Sequence, residues 1–175
     1  QKALGVLTRT YPQPASDQSE PGTIAPQQNV MITYFRAYCS EKLGQDSSQA
    51  YAAASKLPTS FIFPSSAEEL IVLRAATKAN ASDATAHYLL GTLYFSKGLT
   101  DPALSEWSLA KKFGPRLTVL DASTGLAYLQ VKNDPERALS SFQSGLESDP
   151  NNIAIYMGMD QALSLLKRPS RERVQ

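Results

Sequence analysis

The chain has 175 residues, 42% hydrophobic and 19% charged, with a formal net charge of +1. This is the composition of a globular protein with room for a sizeable core, and near-neutral charge gives no reason to expect nucleic acid or an anionic membrane as partner. No apolar run approaches the roughly 18 residues that would span a bilayer, and the single Cys39 excludes an internal disulfide or a multi-cysteine zinc site.

The chain begins at Gln1, without a signal-peptide layout, which is the expectation for a segment of a longer protein. One cysteine favours a reducing, cytoplasmic compartment. Leu4, Val6 and Leu7 within residues 1 to 10 suit the end of a helix. Residues 11–29 hold Pro12, Pro14, Pro21, Gly22 and Pro26 and read as a long loop, either mobile or laid along a groove. Val30 to Leu43 is dense enough in apolar and aromatic residues for a buried helix, and Gly44 follows where a left-handed residue closes one. Asp46 or Ser47 can cap an alanine-rich helix from Ala50 to Leu57, which Pro58 ends. The next stretch, Phe61-Ile62-Phe63-Pro64, is too short for a helix and reads as an extended strip covering an apolar face. A capping box of Ser66 with Glu69 then opens a helix from Ala67 to Asn80.

From Ala84 the pattern changes character. Leu90, Gly91 and Tyr94 are followed by Ala103, Trp107, Ala110 and Pro115, a spacing that sets small residues where two helices cross and large ones in the volume between them. A shift of 34 carries Gly91 to Gly125 and Tyr94 to Tyr128. The second-helix residues need 35: Ala103 to Ala138, Trp107 to Phe142, Ala110 to Gly145 and Pro115 to Pro150. The extra residue therefore falls in the turn Val131 to Pro135, where an array tolerates insertion. Asp101-Pro102 and Asp134-Pro135 each read as N-cap followed by a first-turn proline. Asn151 or Asn152 caps a last helix, Ile153 to about Arg168, in which Asp160 takes the glycine slot and marks a change or end of the array.

These residues resemble the tetratricopeptide repeat, a helical hairpin of about 34 residues with small and aromatic residues at these spacings. Only the leading tryptophan slot departs, holding His87. The resemblance implies an all-α, right-handed superhelix. Residues 1–82 would form degenerate repeat-like helices with the loop 11–29, residues 83–168 two clear repeats plus a terminal helix, and residues 169–175 the start of another element. A narrower likeness runs through LPTSFIFPSSAEELIVLRAA, HYLLGTLYFSKG, AYLQVKNDPERALSSF and LLKRPSRERV. It is similar to the repeat region of bacterial proteins that carry a preceding mutarotase-like, sugar-binding β-sandwich. That family usually has a basic residue after the proline where this chain has Ser65 and Ser66.

Little in the sequence could carry chemistry. One histidine, His87, leaves no multi-histidine metal site, and no phosphate-cradling glycine loop occurs. Glu68-Glu69, Asp134-Glu136 and Lys111-Lys112 sit at helix ends where the helix dipole accounts for them. No catalytic, cofactor-binding or metal-binding residue is expected. The first helix of each repeat lines the concave face, with Thr85, Tyr88, Thr92 and Phe95 from one repeat and Val119, Ala122, Leu126 and Leu129 from the next. Ala154, Met157, Gln161 and Ser164 continue it. The carboxylate clamp of chaperone-binding tetratricopeptide domains uses Lys, Arg and Asn there, and this row has none. The expectation is a non-enzymatic protein-interaction scaffold for an apolar peptide, a helix or its own flanking domains, with the alternative that residues 11–29 cover the groove. The narrower resemblance implies instead an accessory segment of a carbohydrate-active or sugar-binding protein.

Overall fold

The computed structural model describes residues 1–9, 28–114 and 118–168, and all regular structure among them is helical. The loop expected at 11–29, Pro115 and the element expected at 169–175 fall outside the described residues, apart from Gln28 and Asn29. In chain order the helices are α1 (Lys2–Leu7), α2 (Val30–Lys42), α3 (Ser48–Ala54), α4 (Ala67–Ala79), α5 (Ala84–Ser96), α6 (Thr100–Phe113), α7 (Thr118–Gln130), α8 (Pro135–Leu146) and α9 (Ile153–Leu165).

Side-chain caps fix most of the starts. The carboxamide or carboxylate oxygens of Asn29, Asp83, Asp134 and Asn152 each accept a first-turn backbone N–H, and Ser66 with Glu69 forms the full reciprocal box. Two expected caps differ. Helix α6 begins at Thr100 with Leu99 in the cap position and no side-chain bond, so Asp101 lies inside the first turn and pairs with Lys132 across 2.5 Å instead. At α3 the carboxylate of Asp46 accepts from both the amide (3.0 Å) and hydroxyl (2.6 Å) of Ser48, one residue beyond the formal cap Ser47.

The ends of the first helices carry the repeat register. Gly98 (φ +74°), Asn133 (φ +51°) and Lys167 (φ +56°) occupy left-handed backbone after α5, α7 and α9. Their spacing is 35 and then 34, which places the inserted residue between Tyr128 and Asn133, inside the turn named from sequence. After Gly98 the amide of Leu99 reaches back to the carbonyl of Tyr94 (2.9 Å), and after Lys167 that of Arg168 reaches Leu163 (3.0 Å). These are the six-to-one bonds that close a helix through a left-handed residue.

Helix α5 packs on α6, α7 on α8, and α9 lies against α8 and α7. The same slots are filled by apolar residues in successive first helices: Ala86, Leu120 and Ile155 at one level, Leu93, Ala127 and Ala162 at another, all at most 2% exposed. Between the helices of each pair stands one large ring. Trp107 meets Gly91, and Phe142 meets Gly125 on α7 and Gly158 on α9; a methyl group at any of the three glycines would collide with the ring. Burial of a side chain this large contributes about 1.5–3 kcal/mol, and the array needs each neighbour to complete it. Asp160, in the glycine slot of α9, is exposed, and among the described residues no further helix covers that side.

The N-terminal half departs from simple alternation. Helix α4 packs between α2 and α5 in the manner of a second helix, with Leu73 and Ala76 buried in the slots of Trp107 and Ala110. Its first-helix partner is α2, and α3 with the following strip is inserted between them. The strip alternates: Ile62 and Pro64 turn inward, whereas Phe61 and Phe63 are 73% and 76% exposed. The strip therefore turns inward through Ile62 and Pro64 and not through its two aromatic rings.

Candidate functional site

The row of first-helix side chains divides into a closed part and an open part. On α5, the hydroxyl of Thr85 donates to the carbonyl of Ser55 (2.7 Å), just past α3. Tyr88 is 7% exposed in one core cluster with Tyr51 and Ala54 of α3, and burial pushes its phenol above the ordinary range. Thr92 donates back to the carbonyl of Tyr88 (2.9 Å). Phe95 is half-buried, its ring centroid 5.4 Å from that of Trp107. Both threonine hydroxyls are thus spent within the chain.

Beyond α5 the row is accessible. Val119 is 49%, Leu126 37% and Met157 69% exposed; Gln161, Ala154 and Ser164 are exposed and Ala122 half-buried. Leu129 is the exception, 2% exposed in the cluster that contains Phe142 and Ile155, so it packs rather than presents itself. The open stretch on α7 and α9 presents apolar residues together with Gln161 and Ser164 and carries no charged side chain among its row positions.

Behind this face lies a buried polar seam that the sequence did not reveal. The Tyr34 hydroxyl donates to the carboxylate of Asp83, 2.9 Å from each oxygen, while one of those oxygens also accepts the Ala86 amide (2.9 Å). Burial pushes the Asp83 carboxyl up; it pushes the Tyr34 phenol up as well, with the Asp83 charge adding to the effect. His87 is 5% exposed, with Nδ1 2.6 Å from Glu106 Oε2 and Nε2 3.1 Å from the Ala81 carbonyl. Both ring nitrogens are engaged, so the chain's one histidine offers no free nitrogen to a substrate. Lys111 reaches Asp121, 2% exposed, across 2.6 Å and ties α6 to α7. Among the described residues no three His, Cys, Asp or Glu side chains gather as metal ligands, and no helix is long and apolar enough to cross a membrane.

Antiparallel helix pairs stacked through small-residue crossings, with aromatic rings between them, define an all-α helical-repeat array of the tetratricopeptide type. No protein-family model matches the sequence, and no curated protein matches it significantly. Among solved structures the chain is similar to the crystal structure of YrrB, a tetratricopeptide-repeat protein with an unusual peptide-binding site. The likeness has a TM-score of 0.52 at 17% identity and covers 79% of this chain. The chain spans 60% of the length of that structure. At this identity the likeness shows the fold, and the narrower resemblance to sugar-binding bacterial proteins stands on its quoted residues alone.

Proposed function

We propose that the chain is a non-enzymatic binding scaffold that takes an apolar, uncharged peptide segment, extended or helical, along the open row of α7 and α9. The observation that carries this reading is the pattern of exposure: Val119, Leu126 and Met157 are apolar yet 37–69% exposed on adjacent first helices, whereas their α5 counterparts are covered by the chain itself. Adjacent exposed apolar residues on a rigid helical array are the recurring setting for a helix or strand of a partner. The peptide-binding site of the structurally similar YrrB agrees with this use of the fold. A neighbouring domain of a longer parent protein would engage the same row through a segment of the same chemistry.

The experiment is an array of short peptides of graded hydropathy and charge, probed with the wild-type chain, Leu126→Glu and Met157→Glu. The wild type is expected to favour apolar uncharged peptides. Each variant, which sets a charge on the row without touching the core, is expected to lose at least about tenfold in affinity, the 1.4 kcal/mol equivalent. Equal binding by all three chains would refute the reading.

A further inference from the structure

The chain has three methionines, and the fold gives each a different setting. Met31 on α2 is 6% exposed inside the larger core cluster, and Met159 on α9 is half-buried against the cluster of Phe142 and Ile155. Met157, on the same helix as Met159, lies on its open side and is 69% exposed. It also carries the one sulfur of the open row. Val119, Ala122, Leu126 and Ala154 are hydrocarbon, and the carboxamide of Gln161 and hydroxyl of Ser164 are inert to peroxides. We propose that Met157 is an oxidative modification site, at which a hydroperoxide converts the thioether to the sulfoxide and so weakens the hold of the row on an apolar segment.

In this step the thioether sulfur attacks the distal oxygen of the hydroperoxide. An S–O bond forms as the O–O bond breaks, and sulfur gives up two electrons. The peroxide's own proton ends on the leaving oxygen, which departs as an alcohol, or as water where hydrogen peroxide is the oxidant. The product is polar where the reactant was apolar, and methionine sulfoxide reductases reverse the change. Access selects the residue: packing shields Met31 and Met159, whereas Met157 is open to a solute. The remaining oxidisable groups lie off the row, Cys39 half-buried on α2 and Trp107 2% exposed between α5 and α6. A partner that seats an apolar side chain against the oxidised residue would cover a sulfoxide oxygen without offering it a hydrogen bond, which is costly for a polar atom. Because Met157 is a surface residue, the change falls on the row and not on the packing around Phe142.

The switch presupposes that the row binds as proposed above, and the experiment separates the two. The full chain in a Cys39→Ser background, with and without Met157→Leu, is treated with graded hydrogen peroxide and cleared with catalase. Oxygen addition is mapped by peptide mass, and affinity is measured for the best apolar peptide of the array that lacks Met, Cys and Trp. In the native chain one oxygen is expected on Met157 before any reaches Met31 or Met159, and full conversion is expected to weaken binding by about tenfold. A pair of methionine sulfoxide reductases, one for each epimer, is expected to restore both mass and affinity. Met157→Leu, whatever its starting affinity, is expected to bind equally before and after peroxide. Equal oxidation rates at the three methionines, unchanged affinity at full conversion of Met157, or an equal loss in Met157→Leu would overturn the switch and leave the binding row standing. Failure of the untreated chain to bind any peptide would overturn the row, and the switch with it.

Discussion

Asp83 caps α5 and binds Tyr34 with one carboxylate, and neither task needs its charge. The Ala86 amide and the Tyr34 hydroxyl both donate to it at 2.9 Å in a site where the residue is 2% exposed. Burial raises its carboxyl above the ordinary range, so the folded chain holds that proton more tightly than the unfolded one. The associated stability is fully present below the unfolded value of about 3.9 and is lost as pH rises through the folded value. Asp83→Asn keeps an oxygen for Ala86 and offers an amide to Tyr34 without a buried charge. It is expected to be at least as stable as the wild type at neutral pH in urea unfolding. Asp83→Ala, by contrast, loses the cap and strands the Tyr34 hydroxyl, a change expected to cost about 1–3 kcal/mol. The Asp83–Tyr34 contact was not legible in the sequence, because helix capping already accounts for Asp83 and a tyrosine in an apolar helix reads as core. The partners lie 49 positions apart, and nothing in local pattern joins them.

At the scale of single elements, Phe142 is the ring on which three helices converge. It is 1% exposed and touches Gly125 of α7 and Gly158 of α9. Phe142→Ala is expected to cost about 3–5 kcal/mol by urea unfolding, since rigid helix backbones on both sides cannot collapse onto the cavity. A loss below about 1 kcal/mol, the size of a surface change, would mean that the pairs are not held through their crossings. Trp107, Phe142 and their facing glycines were legible because their spacing repeats at 34 or 35 positions and the reason for it is steric. The closing residues were less so: Gly98 announces a left-handed position, whereas Asn133 and Lys167 adopt one because the repeat geometry demands it. Asp101 misled for a related reason. An Asp-Pro dipeptide signals a helix start, but here Leu99 begins the turn and the carboxylate goes to Lys132 in the turn after α7. The inward set of the strip was also hidden, since four apolar residues in a row do not say which two face the core.

Across the whole molecule, the account is of a helical array whose row of first-helix side chains is buried or half-buried on α5 and largely exposed on α7 and α9. Helical period selected the row from sequence, and it could not separate the buried Tyr88 and Leu129 from the exposed Leu126 and Met157. Nor could it show how the α5 positions would be covered, because Thr85 is held by the carbonyl of Ser55, a group that every residue type carries. That division decides which residues are available to a partner, and it is open to direct measurement. In a Cys39→Ser background, single cysteines at Leu126, Met157, Tyr88 and Leu129 can be followed by their rate of reaction with a soluble maleimide. The account predicts that Leu126→Cys and Met157→Cys label at rates close to an exposed thiol, while Tyr88→Cys and Leu129→Cys are protected until urea unfolds the chain. Equal labelling of all four in the native protein would contradict it.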